Sequence, residues 1–165
     1  MEELEKLRKE IDQLDKMIAE LISKRQGLSN KILKAKGGKF TYDPVRESKV
    51  MKKILSYDID SKLAERVWRQ IIAFNLSKQK KLKIGYLGGD KFSIAAYESY
   101  FGPYFENIDY KNVTKLMEGI SNKIIDAAII DKSQLALTKI NSKIQIASEF
   151  PLNEYFYKKK YLILK

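Results

Sequence analysis

Apolar residues fall at Leu4, Leu7, Ile11, Leu14, Ile18 and Leu21, and again at Leu28, Ile32 and Ala35, a stripe at heptad spacing along residues 2–36. The spacing predicts one helix about 50 Å long at roughly 1.5 Å per residue. Two short helices of the same chain cannot cover a stripe of that length, so it implies a partner. Gly37-Gly38 should end the helix. Asp43 as N-cap and Pro44 at the first helical position open a second one, expected to reach Tyr57. Asp60 or Ser61 caps a third, expected to turn Leu63, Val67, Ile71 and Phe74 inward and to end near Lys81.

From Leu82 the period changes. "LKIGYLGG" reads as a buried strand and a Gly-Gly turn, and "KFSIAAYESYFG" as a helix closed by Gly102. "VTKLMEGI" is a further helix, while "IDAAII", "KIQIASEF" and "YFYKKKYLILK" read as strands. The pattern therefore predicts an all-helical region over residues 1–81, then a small α/β domain over 82–165.

Composition narrows the chemistry. The 165 residues include no cysteine and no histidine, which removes disulfides, thiol nucleophiles, Cys/His metal sites and Ser-His triads. No apolar run approaches a membrane span, and Met1 is followed by charged residues, so a cytoplasmic protein without membrane contact is expected. A net charge of +11 invites a nucleic-acid reading. All five arginines lie before residue 70, however, and acids interleave with the bases through residues 2–20. A basic coiled-coil module that binds nucleic acid remains the alternative from another class, recognisable by a steep salt dependence. No nucleic-acid partner is expected.

The seam itself contains an anomaly. The core position shared by 4, 11, 18, 25 and 32 is apolar except at Arg25. That guanidinium either snorkels or pairs across a dimer, or it points into a cavity where its counter-ion is a ligand. Left buried and unpaired it would cost on the order of several kcal/mol. Lys36 lies about 20° away around the helix and roughly 16 Å further along, so two long side chains can converge on one small molecule. Arg8 is roughly 25 Å from Arg25 on the other side. It can reach such a site only from an antiparallel partner. In the third helix Asn75 and Gln79 are adjacent on one face. With Arg46 and Glu47 they would complete a polar pocket in a helix bundle.

Five motifs in order resemble the all-helical class of chorismate mutase: Leu-Arg-x-x-Ile-Asp-x-Leu-Asp at 7–15, "SKR" at 23–25, "KAK" at 34–36, "DPVRE" at 43–47 and "NLSKQ" at 75–79. The resemblance implies an all-α three-helix domain forming an intertwined homodimer. It also implies conversion of chorismate to prephenate in the biosynthesis of aromatic amino acids, with no metal and no cofactor. By the same resemblance Arg25 and Arg8 of the partner subunit clamp the two carboxylates, which selects the reactive conformer. Lys36 and Gln79 are the implied catalytic donors, to the ether oxygen as its C–O bond breaks. Asp43, Arg46 and Glu47 bind substrate, Glu47 and the Asp43 backbone holding the ring hydroxyl. Asn75 stands where the family usually has serine. It can still donate, so tuned binding is expected, with a sensor that binds without converting as the further alternative.

"KIGYLGGDKFSIAAYESYFG", and less strongly "EGISNKIIDAAII" and "IQIASEFPL", are similar to the opening of prephenate dehydratase. The family's Pro-x-Glu-Asn after the third strand is replaced by Asp131-Lys132-Ser133, its Thr-Arg-Phe motif is missing, and no arginine follows Arg69. Residues 82–165 are therefore expected to be a reduced lobe without dehydratase activity.

Overall fold

The structure, a computed structural model, describes residues 2–37, 42–89, 91–135, 142–152 and 159–165. The chain forms two compact units, Met1–Phe40 and Thr41–Lys165.

The first unit is one helix, α1 (Glu2–Ala35), as the heptad stripe predicts. Glu2, Glu3 and Glu5 in its first turn and Lys34 in its last complement the helix dipole. Gly37 takes the left-handed conformation, φ 65°, and its N–H donates to the Lys34 carbonyl at 2.9 Å, closing the helix. The side chains of the stripe are exposed: Leu4, Leu7, Ile11, Leu14, Ile18, Leu21, Leu28 and Ile32 each by more than half.

The second unit opens with α2 (Pro44–Ile54) and α3 (Ser61–Gln79). Asp43 and Asp60 cap them as anticipated, their Oδ1 atoms accepting from the backbone N–H of Arg46 at 2.9 Å and of Leu63 at 2.8 Å. The α2 helix stops short of Tyr57, because Ser56 and Tyr57 donate three residues back, to Lys53 and Ile54, in a tightened final turn. The face that α3 buries also differs from expectation. Leu63 and Val67 are exposed, at 55% and 37%, while Ala64, Glu65, Arg69, Ala73 and Asn75 are buried. Alanines at 64 and 73 let the helix backbone approach its neighbours closely, so the small-residue face packs inward in place of the larger one.

Five strands follow: β1 (Lys83–Leu87), β2 (Glu106–Tyr110), β3 (Ala127–Asp131), β4 (Ile146–Phe150) and β5 (Tyr161–Leu164), in sheet order β2-β1-β3-β5-β4. β1 runs parallel to β2 and β3, while β5 is antiparallel to β3 and β4. Helices α4 (Lys91–Phe101) and α5 (Val113–Ser121) make the crossovers, and α6 (Lys132–Leu135) is a single turn. The β3 run "AAIID" is buried at every position, as a central strand should be. β2 was not anticipated from the sequence: its Asn107 and Asp109 sit on a mostly exposed edge, where the apolar alternation is weak. Residues 153–158, which precede the last strand, lie outside the described residues. Among the described residues no helix is long and apolar enough to cross a membrane.

The change of period after Lys81 falls inside this second unit. Gln70 of α3 donates to the carbonyls of Glu98 and Ser99 at 3.3 and 3.4 Å, and the N–H of Leu152 donates to Glu65 at 2.9 Å. The Lys165 ammonium donates to the Tyr42 carbonyl at 2.9 Å, so the last residue holds the approach to α2.

Gly102 ends α4 with φ 63°, and a Cβ there would stand 2.7 Å from both Gln70 Oε1 and a Tyr104 ring carbon. Gly102→Ala should destabilise by roughly 1–3 kcal/mol, through a strained left-handed residue and overpacking against α3. The measurement is urea unfolding, with a lower midpoint at unchanged slope expected.

Candidate active site

Asp43, Arg46 and Glu47 occupy the start of α2. The Asp43 carboxylate is spent on capping, which leaves its backbone for other work, and Arg46 is exposed. Asn75 and Gln79 lie one turn apart on α3, which packs against α2 in the same unit. Asn75 is buried, and its Nδ2 has no hydrogen-bond partner among the described residues. Five of the eight anticipated site residues thus belong to one unit. The other three lie on α1 or its end. Arg8 is exposed and pairs with Glu5 at 2.7 Å, an i,i+3 surface contact of small energy. Arg25 is partly buried, and desolvation lowers its pKa from the usual value. Lys36 is exposed in the closing turn.

Glu47 has the most distinctive surroundings. Its side chain is only 14% exposed, and Oε2 lies 3.8 Å from Arg69 Nη1 and 3.5 Å from the Tyr100 hydroxyl. Tyr100 Oη in turn lies 3.3 Å from Ser148 Oγ on β4, where either hydroxyl can donate. Arg69 is 1% exposed, and none of its three guanidinium nitrogens has a hydrogen-bond partner among the described residues. Its charge is met instead by Glu47 and by aromatic faces, 4.1 Å above the Tyr100 ring centroid and 6.0 Å from that of Phe150. Burial raises the Glu47 pKa to about 7; Arg69 and the Tyr100 hydroxyl pull it down without cancelling that effect, and Asp43 adds to the rise.

Arg69, Tyr100 and Ser148 were not singled out from the sequence. The available signal was an arginine between Ala64 and Ala73 on the small-residue face of α3. It became legible only once that face was seen to be the inner one. Among the described residues no three acidic side chains converge as metal ligands would. At the end of β3, Asp131 replaces the family motif's opening and is turned on itself. Burial raises its pKa, but bonds from the Ser133 N–H and hydroxyl, at 2.9 and 2.8 Å, and the Lys159 ammonium at 3.0 Å leave it below the usual value.

Comparison with known proteins finds a family model that matches part of the chain. A model of the chorismate mutase type II family matches residues 7–80, a stretch that holds all eight anticipated positions. Over residues 7–80 the chain is similar to that family. The chain is 36% identical over 97 residues to a bifunctional chorismate mutase/prephenate dehydratase of Aquifex aeolicus, covering 53% of this chain and 27% of that protein. It is 31% identical over 112 residues to proteins of the same description from Stutzerimonas stutzeri and Pseudomonas aeruginosa, covering 61% of this chain and 31% of each. The chain thus spans about a third or less of the length of the curated relatives it matches. No solved structure matches it. The helical region that matches this model is followed by a small α/β region with a five-stranded sheet, the order in which both resemblances occur along the sequence.

The raised Glu47 pKa has a consequence for stability. Between its usual value of 4.5 and about 7 the folded chain holds a proton that the unfolded chain has released, so stability falls as pH rises through that window and levels off above it. Glu47→Gln removes the effect. Relative to wild type, the variant should gain on the order of 3 kcal/mol on going from pH 5 to pH 8, read from urea midpoints at the two pH values. A stability difference independent of pH would show that Glu47 is not held in its neutral form.

Proposed function

We propose that the chain is a chorismate mutase that works as a homodimer, converting chorismate to prephenate in the biosynthesis of aromatic amino acids. The observation that carries the reading is the type II family match over residues 7–80, within which every charged and amide position of the resemblance is present. The reaction is an intramolecular rearrangement: one C–O bond breaks, one C–C bond forms, and no proton or group is exchanged. Holding the compact conformer and stabilising charge on the departing ether oxygen are therefore the protein's main tasks. Arg25 and Arg8 of the partner subunit clamp the carboxylates, with Arg46 adding positive charge near the start of α2. Lys36 and Gln79 donate to the ether oxygen, and these bonds strengthen as charge develops. Glu47 accepts from the ring hydroxyl, and the Asn75 Nδ2, a buried donor left over by the fold, is available to the substrate.

The dimer is supported by the uncovered seam of α1. Eight large apolar side chains, each more than half exposed along about 45 Å of one helix, need a second apolar surface. An antiparallel copy of α1 supplies one and carries Arg8 toward the other subunit's Arg25.

With chorismate and no added metal, wild type should consume chorismate absorbance. Lys36→Ala should lose about a hundredfold to a thousandfold in kcat, as loss of an oxyanion donor does, while keeping its circular dichroism. Wild-type turnover in Lys36→Ala would contradict the assignment. Mixing inactive Arg8→Ala and Lys36→Ala chains should restore activity, because one site of each heterodimer then holds both intact residues. No recovery after demonstrated subunit exchange would refute the shared site.

The α/β region is proposed to lack dehydratase activity, on the strength of the closed Asp131-Lys132-Ser133 turn and the absence of arginine beyond Arg69. Prephenate should accumulate from chorismate at neutral pH. Phenylpyruvate appearing faster than spontaneous decay allows would disprove it.

A further inference from the structure

Both contacts of Glu47 fall on the same oxygen. Arg69 of α3 and Tyr100 of α4 approach Oε2, and no bond to Oε1 occurs among the described residues. Tyr100 is itself held by three things: the Ser148 hydroxyl of β4, the Arg69 guanidinium over its face, and edge contacts with Phe101 and Phe150 at 4.7 and 5.3 Å. Tyr100, which contacts the carboxylate, and Ser148, which contacts Tyr100, therefore both come from residues 82–165, outside the stretch that the mutase model matches.

We propose that Tyr100, backed by Ser148, is a positioning residue for the mutase reaction. It anchors Glu47 Oε2 so that Oε1 is presented to the substrate's ring hydroxyl, which makes the α/β region part of the machinery of the mutase site. The inference rests on the mutase reading above. It gives the second half of the chain a defined task in place of the accessory status its sequence suggests. A carboxylate with two free oxygens would rotate between several rotamers. Holding one oxygen leaves a single acceptor direction, and the hydroxyl that holds it favours the ionised form that accepts best.

The groups facing Glu47 are few. Asp43 is on its own helix, Arg69 on α3 and Tyr100 on α4, with Tyr42 just before α2. From β4 comes Ser148, whose neighbour Glu149 is engaged by Lys132 at 3.1 Å. Chorismate carboxylates do not titrate between pH 5 and 9, and an acid limb of kcat/KM near pH 7 that coincides with the Glu47 NMR midpoint reports Glu47.

The test is a pH profile of kcat/KM for full-length wild type, Tyr100→Phe, Ser148→Ala and Ser148→Thr. Alongside it, the Glu47 carboxyl is titrated by carbon-13 NMR, assigned by its disappearance in Glu47→Gln. Tyr100→Phe keeps the ring over Arg69 and removes only the hydroxyl. It should move the acid limb and the NMR midpoint upward together by about half a pH unit, a loss of about threefold at pH 6 that vanishes by pH 9. Ser148→Ala should shift both in the same direction by less, and Ser148→Thr should restore them. If Tyr100→Phe moves the NMR midpoint but leaves the kinetic limb in place, or if it raises activity, the positioning role is wrong while the mutase stands. If neither moves, the Tyr100 contact is inert and the inference falls alone. Absence of wild-type turnover, with an NMR midpoint that still responds to Tyr100→Phe, would instead remove the mutase reading and the positioning role with it.

Discussion

The burial of one guanidinium organises the second unit. Arg69 sits on the inner face of α3 with almost no exposure and no hydrogen bond among the described residues. A buried charge is tolerable only where something compensates it. Here compensation comes from two directions: the Glu47 carboxylate on α2, and the π faces of Tyr100 and Phe150 from α4 and β4. Helices α2, α3 and α4 and strand β4 are therefore joined around one charge. The small residues Ala64 and Ala73 let the helix come close enough for the long Arg69 side chain to be enclosed.

The same constraint sets the chemistry of Glu47. A carboxylate that faces an arginine would ordinarily titrate below its usual range. Here the Arg69 contact is long and burial is deep, so desolvation wins and the group titrates near neutrality. The fold thus keeps the Glu47 carboxyl under two opposed influences, poised where small contacts decide its charge. Such poise is common where a side chain must meet a ligand and uncommon where it only closes a core.

The two units use their apolar surface differently. In residues 41–165, β3 is buried at every position and the sheet is covered on the sides that α4 and α5 cross, so this unit encloses its own core. In α1 no residue is buried. Eight large apolar side chains of its stripe are each more than half exposed. Arg25 interrupts that stripe and Arg8 lies near its start.

The sequence by itself determined the elements whose signals are local. The heptad stripe specified α1, the Asp43-Pro44 and Asp60-Ser61 caps specified α2 and α3, and the shift from a 3.6 to a 2 period marked the start of the sheet. The five spaced motifs marked the stretch that the chorismate mutase type II model matches, because their residue types and separations survive in one dimension. Tertiary structure decided which face of α3 turns inward, since Leu63 and Val67 outrank Ala64 and Ala73 in hydrophobicity and only close packing reverses that order. It also decided the β2 edge, where a partner strand rather than an apolar pattern selects the conformation. Above all it brought Glu47, Arg69, Tyr100 and Ser148 together from four elements spread over a hundred residues. No spacing rule connects such positions. Their meeting depends on which charges the folded core can afford to bury, and that is a property of the packed whole.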